Sequence, residues 1–412
     1  MDQASAKKLH DSTGPHQPKP WGLLILLMAV TSVGPTSLNI LLPALPELSR
    51  LLNSDIGTLQ LTISLYLVGL AVAQLIVGPL SDRFGRRPVL MGGLLLTVAA
   101  SLLAIVMPTV ESLIVARVVQ AIGASAGIVV SRAIIRDLFG PQRAASVLGL
   151  VATVMIAVPT FGPLIGGILD TLYGWQAIFV FLATIGFAVL TWVALTLPET
   201  LGLNAPDHKQ IGFIQNLKLL ANSRIFWAYV LAGALGSASF FAFLGGGPHV
   251  VVTLMGRTSA EYGVWFAITS IGYMAGNFTA SRLAMRHHIT TMVWAGVSFE
   301  AAGVIAATLL AAFAHHWGPI ILFGPQMLIS FGNGLLLPAS ISGAISVRPQ
   351  AAGTAAGIIG CTQMAVGAAV TQYTGTLLAD ASSALPIALV MWALMWALVL
   401  SLAALMRRPK RT

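Results

Sequence analysis

Apolar runs of about 20 residues, long enough to cross a bilayer as helices, recur along the whole chain. No other feature narrows the possible folds as much. Twelve such runs can be read, near 21–46, 59–80, 88–108, 112–136, 145–170, 175–197, 225–249, 262–284, 290–313, 318–346, 352–378 and 385–406. Within a bilayer every backbone N–H and C=O must be bonded inside the protein, so runs of this length are read as helices. Composition agrees, with 57% hydrophobic residues, 8% charged residues and a mean hydropathy of +0.87. A soluble domain of 412 residues would need a charged shell that 22 Lys/Arg and 13 Asp/Glu cannot supply. The expectation is an all-α membrane protein of twelve transmembrane helices.

Residues 1–20 are polar, and Lys7, Lys8 and Lys19 precede a first run too long for a signal-peptide core. They read as an uncleaved tail ahead of the first span. If loops are assigned alternately to the two sides, Arg50 and Arg257 alone among the 22 basic residues fall opposite the N-terminus, with Arg117 left inside a span. This asymmetry predicts both termini in the cytoplasm. The net charge of +9 therefore faces anionic lipid and gives no reason to expect a nucleic-acid partner. The single Cys361 excludes an intrachain disulfide.

One long polar interruption divides the chain. The expected organisation is a tail over 1–20, a six-helix bundle over 21–197, a cytoplasmic linker over 198–224, a second bundle over 225–406 and a tail over 407–412. The halves share a weak repeat: Gly78 to Arg87 closes the second span of the first half, and Gly276 to Arg286 closes its counterpart without the acid. Six-helix repeats about a linker are a transporter pattern, with the substrate near the midplane between them.

The loop Gly78-Pro79-Leu80-Ser81-Asp82-Arg83-Phe84-Gly85-Arg86-Arg87-Pro88 concentrates charge between two apolar spans. Gly85 suits a tight turn and Pro88 the first turn of the following helix. Two readings stand: a loop whose arginines fix topology, or a latch between the halves.

This loop resembles the signature between the second and third helices of the major facilitator superfamily. The run from Gln60 to Leu90 is similar to the Bcr/CflA branch of drug:proton antiporters. The fourth span carries Arg117-Val118-Val119-Gln120-Ala121-Ile122-Gly123, similar to the family's RxxQGxG element. The fifth carries Pro159, Gly162, Pro163, Gly166 and Gly167, similar to the GPxxGG element of exporters. The similarity is dense in the first half and looser in the second, where Gly332-Asn333-Gly334 and Pro338 carry it. The resemblance implies two pseudo-symmetric six-helix bundles and export of small drugs, chloramphenicol- or bicyclomycin-like, across the bacterial inner membrane in exchange for protons. It also implies a latch formed by Gly78, Asp82, Arg83, Gly85, Arg86, Arg87 and Asp137. Asp82 is expected near the start of the eleventh span, around Ala351 to Thr354, and Arg83 or Arg86 beside Asp137. One departure matters: where the branch carries an acid in its first helix, this chain has Asn39, which can hydrogen-bond a substrate but carries no proton.

Two ionisable residues lie deep in spans, and such residues mark function by default. Arg117 shares a helix face with Gln120, Ala124, Gly127 and Ser131, so it serves either coupling and binding or a structural network. Glu300, in the ninth span, is the candidate replacement for the missing proton carrier; its alternatives are a permanently neutral acid or one paired to a neighbouring helix. The remaining candidates for substrate contact are Asn39, Tyr66, Gln120, Met155, Phe240, Phe243, Asn333 and Gln363, each of which also suits ordinary packing. Gly353, Gly357, Gly360 and Gly367 predict close packing of the eleventh span.

No ATP-binding GxxxxGK[ST] occurs, and the His pairs lack ligand spacing. The chain is expected to be no enzyme, to hold no metal or cofactor and to act as a monomer. Efflux of a metabolite such as a sugar or amino-acid derivative is the alternative to drug efflux.

Overall fold

The computed structural model describes residues 20–201, 219–284, 286–313, 317–348, 351–378, 381 and 383–405, without the side chains of 20, 140–146, 149, 152–160, 352 and 353. Most of the expected 198–224 linker and both tails therefore lie outside the described residues.

All regular structure among the described residues is helical. Helix α1 (Pro20–Ile40) runs through a 3-10 turn (Leu42–Ala44) into the short α2 (Leu45–Leu51). Then come α3 (Ile56–Phe84), α4 (Arg86–Val106), α5 (Val110–Tyr173) and α6 (Gln176–Thr196). The second half holds α7 (Arg224–Pro248), which continues as a π-helix (His249–Leu254), then α8 (Ser259–Leu283), α9 (Ile289–Phe313), α10 (Ile320–Val347), α11 (Ala352–Leu378) and α12 (Leu385–Leu405). Side-chain caps fix several starts. Asp55 accepts from Thr58 N–H at 2.8 Å, Ser223 caps α7 and Thr258 caps α8. Gly85, at φ +100°, makes the turn between α3 and α4 that other residues resist.

Ten stretches among the described residues are long and apolar enough to cross a membrane. The other two expected spans are the second limb of α5 and α8. The break expected between the fourth and fifth spans is absent, because the 64 residues of α5 keep helical bonding throughout. A straight helix would put residues 124 and 162 about 57 Å apart at 1.5 Å per residue. Instead, Gly34 lies against Ala124, while Gly162 lies against Asn39 little more than a turn along α1. The helix thus doubles back, and its two limbs flank α1 as two spans. Continuous helical bonding through the turn leaves fewer backbone groups unpaired at the membrane boundary. With α1, α3, α4 and α6 these limbs form one six-helix bundle; α7 to α12 form the other.

Hydrogen bonds between the bundles, among the described residues, cluster at one end. Ser259 Oγ donates to Pro43 O at 3.0 Å, and Ala260 N to Thr171 Oγ1 at 3.2 Å. Gln372 Nε2 donates to Gly57 O at 2.8 Å, and its Oε1 accepts from Ser64 Oγ at 2.8 Å. Gly167 and Gly263 let the backbones of α5 and α8 touch there. At the end bearing the 82–88 loop the arrangement is open. Asp82 is 63% exposed, and a Cβ on Gly357 or Gly360 would meet nothing within 4 Å among the described residues. The close packing expected at those two glycines is therefore absent in this state, while Gly367 does pack, on Phe241.

Candidate functional site

A cavity of about 230 Å³ lies within the second bundle, between α7, α8, α10 and α11. Its apolar wall is Phe240, Phe241, Phe243, Phe266, Leu337 and Met364. Its polar groups are Ser237, Thr269, Ser270, Tyr273, Ser330, Asn333 and Gln363, and none of the lining residues carries a charge at neutral pH. The rings brace one another: Phe243 stands edge-on to Phe323 at 5.4 Å and tilted against Phe266 at 6.0 Å. Such a wall offers shape and dispersion, while a few dipoles orient the guest.

The candidate residues picked out by the sequence divide sharply. Phe240, Phe243, Asn333 and Gln363 line the cavity. Arg117, Tyr66 and Gln120 do not, being fully buried inside the first bundle. The Arg117 guanidinium lies 4.3 Å from the centroid of the Tyr66 ring, donates to Ser37 O at 2.8 Å and Gln120 Oε1 at 2.7 Å, and reaches Thr62 O at 3.3 Å. Gln120 passes the chain on to Ser101 Oγ at 2.7 Å, and Tyr66 Oη donates to Gly34 O at 3.0 Å. This network ties α1, α3, α4 and the first limb of α5 together. Asn39 is buried, donates to Pro35 O in its own helix at 2.9 Å, and its Oδ1 has no partner among the described residues. The side chains of Met155 and Pro159 lie outside the described residues. Gly162 and Gly166 abut α1 through Asn39 and Ile40, and Pro163 and Gly167 abut α8.

Glu300 is fully buried, and neither of its carboxyl oxygens has a partner among the described residues. A charge so placed, with no cation or donor beside it, is costly, so this packing accommodates the protonated, neutral acid. It stands behind the cavity wall, against Gly236 of α7 and Gly332 of α10.

At the open end Arg86, itself buried, binds Asp82 and lies 3.0 Å from Asp137 through Nε. Asp82 is engaged within its own loop; its expected docking on the start of α11 is not seen among the described residues, because the bundles are apart there. Arg83 stacks on Phe84, and Gly78 faces Val129. Glu199, just past α6, accepts from the backbone N–H of Arg86 at 2.9 Å and of Arg87 at 3.2 Å, while Arg87 reaches Ala194 O. Sequence reasoning missed Glu199, since nothing local marks it as a cap for a helix more than a hundred residues away. It also missed the contribution of α8. A signal for that existed: Thr269, Tyr273 and Asn277 recur every four residues on the least apolar long helix of the second half.

Comparison with known proteins matches residues 25–372 to the family model described as Major Facilitator Superfamily. The uncharacterized MFS-type transporter YdgK of Bacillus subtilis is 29% identical over 388 residues, covering 93% of this chain and 94% of that one. Multidrug resistance protein D of Escherichia coli is 30% identical, covering 83% and 85%, and the chloramphenicol resistance protein of Pseudomonas aeruginosa is 30% identical, covering 86% and 83%. The fold is shared with the crystal structure of a bacterial homolog of the human lysosomal transporter Spinster, inward-facing and unoccupied, at a TM-score of 0.76 and 15% identity over 94% of this chain and 97% of that one. A family match over most of the chain, on paired six-helix bundles that meet at one end and part at the other, makes this protein a member of the Major Facilitator Superfamily of membrane transporters.

Proposed function

We propose that the protein exports small, uncharged or weakly polar drugs across the bacterial inner membrane, driven by protons returning through the same molecule. The observation that carries this reading is the second-bundle cavity, lined by aromatic rings and neutral dipoles and free of charged side chains. A cation would find no counter-ion there. Drug-resistance names among the relatives favour drugs over metabolites. Glu300 is the proton carrier in this reading, because Asn39 cannot titrate and Glu300 is, among the described residues, the one acid sealed among the helices around the cavity. In this reading the basic loops favour a cytoplasmic side for both termini and for the open end of the molecule, and a state open there receives drug from inside. The protein works as a monomer, the cavity being complete within one chain.

The test is accumulation of labelled chloramphenicol in everted membrane vesicles. Acidifying the lumen should drive uptake, a protonophore should collapse it, and Glu300→Gln should abolish uphill uptake while leaving counterflow of labelled for unlabelled drug. Wild-type uptake in Glu300→Gln, or indifference to the pH gradient, would refute proton coupling through this residue.

A further inference from the structure

The carboxyl of Glu300 occupies space that side chains would otherwise fill. A Cβ on Gly236 of α7 would lie 3.3 Å from Oε1, and a Cβ on Gly332 of α10 would lie 2.9 Å from its Cγ. The acid thus enters the seam between α7 and α10. The next residue in each helix, Ser237 and Asn333, lines the cavity on the far side. Leu336, fully buried and 2.7 Å from the same position on Gly236, closes the seam. Gly236, Gly332 and Leu336 thus stand between the acid and residues that line the cavity.

Asn333 supplies an independent observation. It is 3% exposed, its Oδ1 is buried without a partner, and its Nδ2 has a single long bond, 3.3 Å, to Ile329 O one turn back. A protonated carboxyl is a donor lacking an acceptor. One residue along from the glycine it touches stands an acceptor lacking a donor. An amide can also serve both states of the acid, accepting from COOH through Oδ1 and donating to COO⁻ through Nδ2–H. α9 holds no titratable side chain besides Glu300, α10 and α12 hold none, and α7 holds Arg224 and Tyr229 at its far end; α8 holds Glu261, Tyr262, Tyr273 and Arg282, and α11 holds Cys361 and Tyr373, of which only Tyr273 lines the cavity.

We propose that Asn333 is the residue over which the proton on Glu300 and the bound drug compete, with Gly236 and Leu336 setting the carboxyl's passage through the seam. The proposal rests on Glu300 as proton carrier and on the cavity as drug site. From the described packing, in which the two groups are unbonded, the Glu300 carboxyl swings past Gly236 while no drug is bound and donates its O–H to Asn333 Oδ1. A drug bearing an O–H or N–H donor takes that oxygen. The Glu300 O–H bond then breaks, the proton passes to water in the cavity, and the carboxylate left behind accepts from Asn333 Nδ2–H. Drug and proton therefore occupy the protein in alternation, which exchange requires. Asn333 and Gly236 act here as positioning residues.

The experiment uses the full chain in proteoliposomes with chloramphenicol, which carries both hydroxyl and amide donors, and reads protons released per drug bound. Gly236→Ala, which sets a methyl in the carboxyl's path, and Asn333→Leu, which removes the shared acceptor, should each lower that ratio about fivefold or more. Asn333→Gln should restore part of it, and Leu336→Ala, which widens the seam, should speed release. A merely structural role would reduce binding and release together and leave the ratio alone. Ratios within about twofold of wild type in both Gly236→Ala and Asn333→Leu, or an unchanged release rate in Leu336→Ala, would overturn the proposal. If the wild type releases no protons on binding drug, the coupling reading of the whole protein fails with it; if it does and Glu300→Gln does not, only the seam is in question.

Discussion

Arg117 shows what a helix face can and cannot disclose. Its small and polar neighbours at steps of three and four are legible in the sequence, but both a cavity wall and a tight helix junction need such residues. In this structure the hydrogen bonds of Arg117 go to the first bundle's own carbonyls and to Gln120, which favours the junction. Asn39 poses the same ambiguity and is likewise turned inward, onto its own helix. A lysine at 117 would keep the charge but lose the planar fork that meets three acceptors and the Tyr66 face at once. Arg117→Lys should therefore lower stability by about 2–3 kcal/mol, the scale of a lost charge-assisted bond and an acceptor left bare. It should show as a reduced Tm of the detergent-solubilised protein, with drug affinity in the second-bundle cavity little changed. An unaltered Tm together with weaker drug binding would return Arg117 to the binding site.

At the scale of elements, the apolar runs disclose the spans because bilayer thickness sets their length. The connections are less legible, because they depend on partners distant in sequence. Glu199 is the plainest case. Its carboxyl gathers the N–H groups of Arg86 and Arg87 at the start of α4 and those of Thr200 and Leu201 beside it. Burial pushes its pKa up, but these four backbone bonds outweigh that and hold it below the ordinary carboxylate value. A lowered folded-state pKa means that the cap's contribution is complete above the unfolded-state value, near 4.5, and is lost as pH falls through the folded one. At neutral pH the cap is intact. Glu199→Gln should then raise hydrogen exchange at the Arg86 and Arg87 amides at pH 7, and acidifying the wild type should reproduce that change. Equal protection in the variant would show that the first turn of α4 holds without it. The glycines of α11 carry the complementary lesson. Gly357 and Gly360 have the spacing of packing sites, yet in this state they face open space, since a sequence encodes the contacts of every state a helix visits.

The whole molecule turns that observation into a statement about motion. Its bundles are joined at the end of Ser64, Gln372, Thr171 and Ser259, where glycines bring backbones into contact. They are parted at the end of Asp82, Gly357 and Gly360. A transporter that alternates must invert this pattern, and a closed interface packed this tightly inverts as a unit rather than bending by degrees. We propose that the inverted state brings Asp82, released from Arg86, against the glycine face of α11, with an anion favoured at the helix start. Paired cysteines separate the two states. In a Cys361→Ser background, which removes the only native thiol, a Ser64→Cys/Gln372→Cys pair should cross-link readily without drug and stop transport, and reduction should restore it. An Asp82→Cys/Thr354→Cys pair should cross-link slowly, and faster under conditions that drive the cytoplasmic end closed. Fast cross-linking of the second pair in the resting protein would mean that the resting state is not the one described, and failure to cross-link under any condition would reduce the 82–88 loop to a topological signal.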